Sequence, residues 1–234
     1  MNEKQRRVRT QPKKKILVVD DHPIMREGLS QLINHEKDLV VCAEASHAAQ
    51  VDELVRSHCP DLVLLDISLP DKNGLEVIKD LKVLYPELAI LVLSMHDESL
   101  YAERVLRAGG RGYLMKHEGG KRLIVAIRHV LAGQIYVSEK MSARILEMFS
   151  GRKPLETGSP VDGLTDREFE VFQWIGKGRG TREIAAALHL SIKTVEVHRA
   201  NIKTKLKIRT APELIRHAVR WVESQAGGNC EASH

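Results

Sequence analysis

The run Leu62-Val63-Leu64-Leu65-Asp66, continued by Ile67-Ser68-Leu69-Pro70-Asp71-Lys72-Asn73-Gly74, constrains this chain more than any other stretch. Four consecutive apolar residues read as a strand covered on both faces, the condition of strands in a parallel sheet. In open parallel sheets, ligands and chemistry collect just beyond the carboxyl ends of the strands, which is where Asp66 stands. Asp66 is therefore a site candidate, although an aspartate that opens a Pro and Asn-Gly loop serves equally well as a turn cap.

The pattern repeats. Ile16-Leu17-Val18-Val19 ends at Asp20 and Asp21, Ala89-Ile90-Leu91-Val92-Leu93 ends at Ser94, and Gly112-Tyr113-Leu114-Met115 ends at Lys116. A fifth apolar run, Leu39 to Ala43, lies between the first two. Between the strands the apolar period changes to that of helices. Pro23 is placed to begin the first, with Ile24, Met25, Leu29, Leu32 and Ile33 on one face, and further helices are predicted over 48–57, 75–84, 99–108 and 121–132. Five strands alternating with five helices predict an α/β domain over residues 15–132, with a parallel sheet and right-handed crossovers.

Asp20, Asp21, Asp66, Ser94 and Lys116 then share one edge of the sheet. Two carboxylates 4 Å apart repel by about 4 kcal/mol at an effective dielectric near 20, so three of them need a cation. Carboxylates without Cys or His ligands favour a hard ion that keeps several waters, and Mg2+ fits better than zinc. Ser94 offers a hydroxyl donor and Lys116 a point charge for a phosphoryl oxygen. Asp66, single and central, is the candidate nucleophile, with Asp20 and Asp21 as a metal platform. Local alternatives exist for each residue: Asp20 and Asp21 as helix caps, Lys116 as a surface charge. They would all have to hold at once.

On these residues the segment resembles the receiver domain of two-component response regulators. The resemblance implies a doubly wound, flavodoxin-like fold with Asp66 as phosphoacceptor for a sensor histidine kinase. It also implies Mg2+ bound by Asp21 and Asp66 directly, by Asp20 through water, and by the backbone carbonyl of Ser68. Pro70 and Gly74 match the loop after the phosphoacceptor, Ser94 the switch hydroxyl, Tyr113 the switch aromatic that follows inward, and Lys116 the phosphate-contacting lysine. His117 stands where the family has proline, which argues against a cis bond there.

Residues 133–160 read as a linker, Gly/Ser/Thr/Pro-rich from Ser150 to Pro160 and preceded by an amphipathic helix over Met141 to Phe149. From Leu164 no strand signal remains. Thr165-Asp166-Arg167-Glu168 is a capping box, Thr181 is read as the cap of a second helix, a longer helix spans 192–206, and Pro212 opens the last. The short second helix and the polar third one form a helix-turn-helix pattern, although a helix this polar can also be a solvated surface helix.

Residues 161–225 resemble the LuxR-type DNA-binding domain of NarL/FixJ-class regulators. Leu164-Thr165-Asp166-Arg167-Glu168, Glu183-Ile184-Ala185 and Ser191 to Arg199 carry the match, and Lys205-Leu206 closes it. The resemblance implies a small all-α domain of four helices. Its candidate DNA contacts are Thr181, Lys193, Thr194, Glu196, Val197, His198, Arg199, Ala200, Asn201, Lys203 and Lys205. Glu196 and Ala200 stand where some relatives have lysine, so base readout should differ. One short helix reads few base pairs, so paired half-sites and a homodimer after phosphorylation are expected. Leu214, Val219 and Trp221 are read either as a dimer face or as the core of the small domain.

Charge distribution agrees with this division. Residues 1–15 carry about +6, residues 16–160 about −4 and residues 161–234 about +3, within a net +5. Residues 1–14 read as a basic, disordered arm and 226–234 as a tail. Cys42, Cys59 and Cys230 have neither the number nor the spacing of a disulfide framework or zinc site. No apolar run approaches the roughly 18 residues of a membrane span, so a cytoplasmic protein without membrane contact is expected. An aspartyl-phosphate phosphatase is disfavoured because Ser68 occupies the place of its second aspartate. The chain is expected to be no enzyme beyond phosphorylating itself from small donors and losing the group again. The other alternative is a DNA-binding regulator independent of phosphorylation, whose receiver only mediates dimerisation.

Overall fold

The computed structural model describes residues 12–149, 160–188 and 190–227. The chain divides into two compact units, Met1–Ala143 and Arg144–His234. Expectations for the basic arm therefore fall, but for its last residues, outside the described segments, as do those for residues 150–159, Cys230 and the end of the tail.

The first unit alternates β1 (Lys14–Val19), α1 (Pro23–Asn34), β2 (Leu39–Ala45), α2 (Val51–His58), β3 (Leu62–Leu65), α3 (Gly74–Leu84), β4 (Ala89–Ser94), α4 (Glu98–Arg107), β5 (Gly112–Met115) and α5 (Gly120–Leu131). All strand pairs are parallel, in the order β2-β1-β3-β4-β5. The order reverses between β1 and β3, the switch point where doubly wound folds open a crevice. One sheet face, with Ile16, Val18, Leu62, Leu64, Leu91 and Leu93, packs with Leu29 and Ile33 of α1 and Leu123, Ile127 and Val130 of α5. Alternate residues Leu17, Val19, Val63, Leu65, Ile90 and Val92 are equally buried on the other face.

Differences from expectation are local. β1 starts at Lys14, held by pairing with Leu39 and by an ion pair to Asp61 at 2.8 Å. β2 runs on to Ala45, because Glu44 accepts from Ser30 Oγ at 2.7 Å and pairs with Arg26 at 3.2 Å. The expected helix over 48–57 is a 3-10 turn at Ala48–Gln50 followed by α2, which ends at Cys59 in the left-handed region (φ 47°). Among the described residues no peptide bond is cis, including that between Lys116 and His117.

Beyond α6 (Glu139–Phe149), the second unit is all helical: α7 (Asp166–Gly176), α8 (Thr181–Ala187), α9 (Ile192–Lys205) and α10 (Ala211–Gly227). The Thr165 capping box forms, with Thr165 Oγ1 accepting from the Glu168 amide at 3.3 Å and Glu168 Oε2 from the Thr165 amide at 2.8 Å. α8 corrects one expectation: its cap is Gly180, whose amide donates to Glu183 at 2.8 Å, while Thr181 is the first helical residue. Leu214 and Ala218 of α10 are fully buried, and Trp221 packs edge-on against Phe169 and Phe172 at 5.5 and 5.6 Å. Leu214 thus lies in the core of this unit with Trp221 packed at its edge, while Val219 and Trp221 remain half-buried. At Gly176 a Cβ would meet Val222 at 2.4 Å and the Ala218 carbonyl at 2.6 Å, so only glycine lets α7 and α10 approach this closely. No described helix is long and apolar enough to cross a membrane.

Candidate functional site

Backbone hydrogen bonds carry the sheet one residue past its strands. The Asp66 amide donates to the Val19 carbonyl at 2.8 Å and the Asp20 amide to the Ala45 carbonyl at 3.1 Å, so both carboxylates stand at the switch point. Lys116, just after β5, reaches across to them. Its Nζ lies 2.7 Å from Asp20 Oδ2 and 2.7 Å from Asp66 Oδ2, with all three side chains at most 4% exposed. Asp20 Oδ1 accepts from the His22 amide at 2.9 Å, and Asp66 Oδ1 from the Ser68 amide at 3.1 Å.

These surroundings set the ionisation. Burial pushes the Asp66 carboxyl above its ordinary value, against the bond and charge of Lys116. Burial pulls the Lys116 ammonium down, but the bonds to Asp20 and Asp66 outweigh it and its pKa is raised. The lysine is thus held charged between two carboxylates.

Asp21 is less well served. Its Oδ1 is shut off from solvent without a hydrogen-bond partner, and His22 Nδ1 approaches it at 2.7 Å outside hydrogen-bonding geometry. Donor atoms of Asp20, Asp21, His22 and Asp66 all lie within 4.8 Å of one another. An anionic oxygen sealed from water and given no donor calls for a cation. With carboxylate oxygens predominating, the residues present fit a hard divalent ion. His22 went unremarked in the sequence reading, where its only signal was adjacency to the aspartate pair.

The loop between β3 and α3 is folded tightly around Asp66. Ser68 and Asn73 form an antiparallel bridge, the Gly74 amide donates to the Ile67 carbonyl at 2.9 Å, and Asn73 caps α3 by accepting from the Leu75 amide at 2.6 Å. A Cβ on Gly74 would lie 2.6 Å from Ile67 Cα and 2.9 Å from the Asp66 carbonyl oxygen. Ser94 is fully buried at the end of β4, and its Oγ accepts from the His96 amide at 3.2 Å. Tyr113 is 1% exposed and its hydroxyl donates to the His96 carbonyl at 2.8 Å. The ring thus stands inward with its hydroxyl satisfied. Burial raises the Tyr113 pKa, so that hydroxyl is a donor at any ordinary pH.

In the second unit, Ser191 caps α9 by accepting from the Thr194 amide at 3.0 Å. Val195 and Ile202 face the core, whereas Lys193, Glu196, Val197, Ala200, Asn201 and Thr204 are exposed at helical spacing on one face. Thr194, Arg199 and Lys203 are half-buried at its margins. Two expected contacts are drawn away from that face. Lys205 Nζ pairs with the buried Glu168 at 2.7 Å, and His198 is half-buried with a sealed, unpartnered Nδ1.

Comparison with known proteins agrees with both units. The response regulator receiver domain matches residues 16–128, and the luxR family of bacterial regulatory proteins matches residues 162–218. Oxygen regulatory protein NreC of Staphylococcus haemolyticus is 35% identical over 210 residues, 88% of this chain and 97% of that one. The chain is a response regulator of this family. The regulator also resembles a LuxR-family two-component response regulator from Aurantimonas, 34% identical over 59% of this chain and 99% of that one, with a TM-score of 0.55. RcsB of Salmonella enterica serovar Typhimurium, solved on promoter rprA with the phosphomimetic BeF3−, covers 88% of the regulator and 98% of its own chain at 23% identity and a TM-score of 0.62. At that identity the likeness is one of fold. The regulator thus joins a receiver domain to a LuxR-type helix-turn-helix domain, the class of a transcription regulator rather than of a conventional enzyme.

Proposed function

We propose that Asp66 accepts a phosphoryl group from the phosphohistidine of a sensor histidine kinase and that this event controls transcription through the exposed face of α9. The observation that carries the reading is the buried placement of Asp66 beside Asp20 and Asp21, with Lys116 2.7 Å away. An Asp66 oxygen attacks phosphorus, the P–N bond to the kinase histidine breaks, and an acyl phosphate forms. The new group adds about −1.5 to −2 charges. Lys116, already charged and aimed at Asp66, follows a phosphoryl oxygen, and Ser94 turns its hydroxyl to donate to another. Mg2+ fits the donors Asp20, Asp21 and Asp66, with the Ser68 carbonyl, and when bound it supplies charge neutralisation for the transferring group.

The working division is a receiver over 15–132, a linker with a helix over 133–160, and a DNA-binding domain over 161–225, between an arm at 1–14 and a tail at 226–234. DNA is gripped through Lys193 and Arg199, with Glu196, Val197, Ala200 and Asn201 toward base edges and Thr181, Thr194 and Lys203 at the margins. Phosphorylation favours a homodimer on paired half-sites, and the partners, a kinase phosphodonor and promoter DNA, place the regulator in the cytoplasm. Incubation of the full chain with Mg2+ and acetyl phosphate should add one phosphoryl mass on Asp66 and raise retention of palindromic DNA. No adduct, or equal labelling of Asp66→Asn, overturns the reading.

A further inference from the structure

His22 has no place in the phosphoryl chemistry above, yet its ring stands against the acidic cluster. It follows Asp20 and Asp21 directly and occupies the position before α1 where a capping side chain would serve, but its side chain caps nothing. Its backbone is engaged instead, with the amide donating to Asp20 Oδ1 at 2.9 Å and the carbonyl accepting from the Arg26 amide at 3.0 Å. Nδ1 lies 2.7 Å from Asp21 Oδ1 and 3.4 Å from Asp20 Oδ1. The shorter approach is not a hydrogen bond, since Asp21 Oδ1 receives none. Two lone-pair atoms this close repel unless a cation lies between them. The ring is 68% exposed while Asp20 and Asp66 are buried, so it stands on the solvent side of the cluster.

We infer that His22 is an inner ligand of the pocket's metal ion and opens that pocket to a borderline first-row divalent cation, represented by Ni2+, in competition with Mg2+. The inference deepens the metal reading proposed above and rests on it. Ligands about 2.1 Å from an ion and at right angles stand about 3 Å apart. The separations of 2.7 and 3.4 Å bracket that spacing, so one ion can take Nδ1 together with carboxylate oxygens of Asp21 and Asp20. Nδ1 and an Asp66 oxygen belong to the same group of donors within 4.8 Å. Mg2+ gains little from the ring, because it is held by oxygen ligands and keeps its waters. Imidazole suits nickel and zinc, and nickel stands near the top of the divalent affinity order for such ligands. Replacing one water by Nδ1 therefore favours an ion of this class over Mg2+. The two ions share the same three carboxylates, so each excludes the other.

The test is calorimetric titration of the full chain with Ni2+ and, separately, with Mg2+. Only Ni2+ that excess Mg2+ displaces is counted, which sets aside ion held by the chain's other histidines. The unaltered chain should bind Ni2+ more tightly than Mg2+. His22→Ala should weaken Ni2+ binding by about tenfold or more, since even an outer-shell partner is worth that much, and leave Mg2+ affinity as it was. His22→Asp, which keeps a ligand but a hard one, should likewise lower the ratio of Ni2+ to Mg2+ affinity. A ratio that is the same in all three proteins overturns the inference. So does an equal loss of both ions in His22→Ala, which marks a structural role or a disturbed fold. Absence of Mg2+ binding by the unaltered chain instead overturns the metal reading itself, so the two failures are separable.

Discussion

At the scale of single residues, the pocket is organised by opposed charges that water cannot screen. Lys116 serves two carboxylates at once, at 2.7 Å each, so Lys116→Met leaves Asp20 and Asp66 buried without a counter-charge. In the presence of a chelator it should destabilise the receiver by about 3 kcal/mol, with Mg2+ restoring part of the loss, as read by thermal unfolding with and without the ion. Gly74 is required for a different reason. Its place 2.6 Å from Ile67 Cα, measured from a built Cβ, admits no methyl without moving the backbone that carries Asp66. Gly74→Ala should cost about 1–3 kcal/mol and slow phosphoryl uptake, which mass spectrometry over time would record. The sequence placed Asp66, Lys116 and Ser94 on one sheet edge because strand ends are legible in apolar runs. It did not reveal the orphaned Asp21 oxygen or the contacts of His96 with Ser94 and Tyr113, since both depend on how loops fold back over the strands.

At the scale of elements, α9 separates residues that sequence alone treats alike. Lys193 and Lys205 are both lysines of one polar helix, but Lys205 is spent on Glu168, whose pKa is lowered despite burial by the bonds from Lys205 and Thr165. Lys193→Ala should therefore reduce the salt dependence of DNA binding by about one unit of slope. Lys205→Met should leave that slope unchanged and lower the stability of the helical unit by about 1–3 kcal/mol. Titrations of DNA binding at several salt concentrations, beside denaturant unfolding, distinguish the two. His198 belongs with Lys205. Burial lowers its pKa below the ordinary 6.5, so the folded unit prefers the neutral ring while the unfolded chain takes up the proton first. The stability it contributes is present above pH 6.5 and is lost as pH falls toward the folded pKa. In NMR titration of the full chain, His198 should protonate later on acidification than the exposed histidines. The periodicity that predicted α9 was sound; its phase, which decides the two faces, is set by where Val195 and Ile202 enter the core.

At the scale of the whole molecule, the proposed reading has phosphorylation in one unit promote DNA binding by the other through a homodimer. Sedimentation of the full chain with Mg2+ and acetyl phosphate should shift from monomer toward dimer, and Asp66→Asn should remain monomeric under the same conditions. The chain's sequence by itself determined the two-domain organisation, the parallel five-stranded sheet, the four-helix unit and the acidic strand ends. Those features follow from local periods and from residues adjacent in the chain. Only the tertiary structure decided which charges are paired, which face of α9 is free, that Leu214 belongs to a core with Trp221 packed at its edge, and that Tyr113 stands inward with His96 fixed beside it. Each of these is a contact between residues distant in sequence, where burial and hydrogen-bond geometry choose among side chains that are alike as letters.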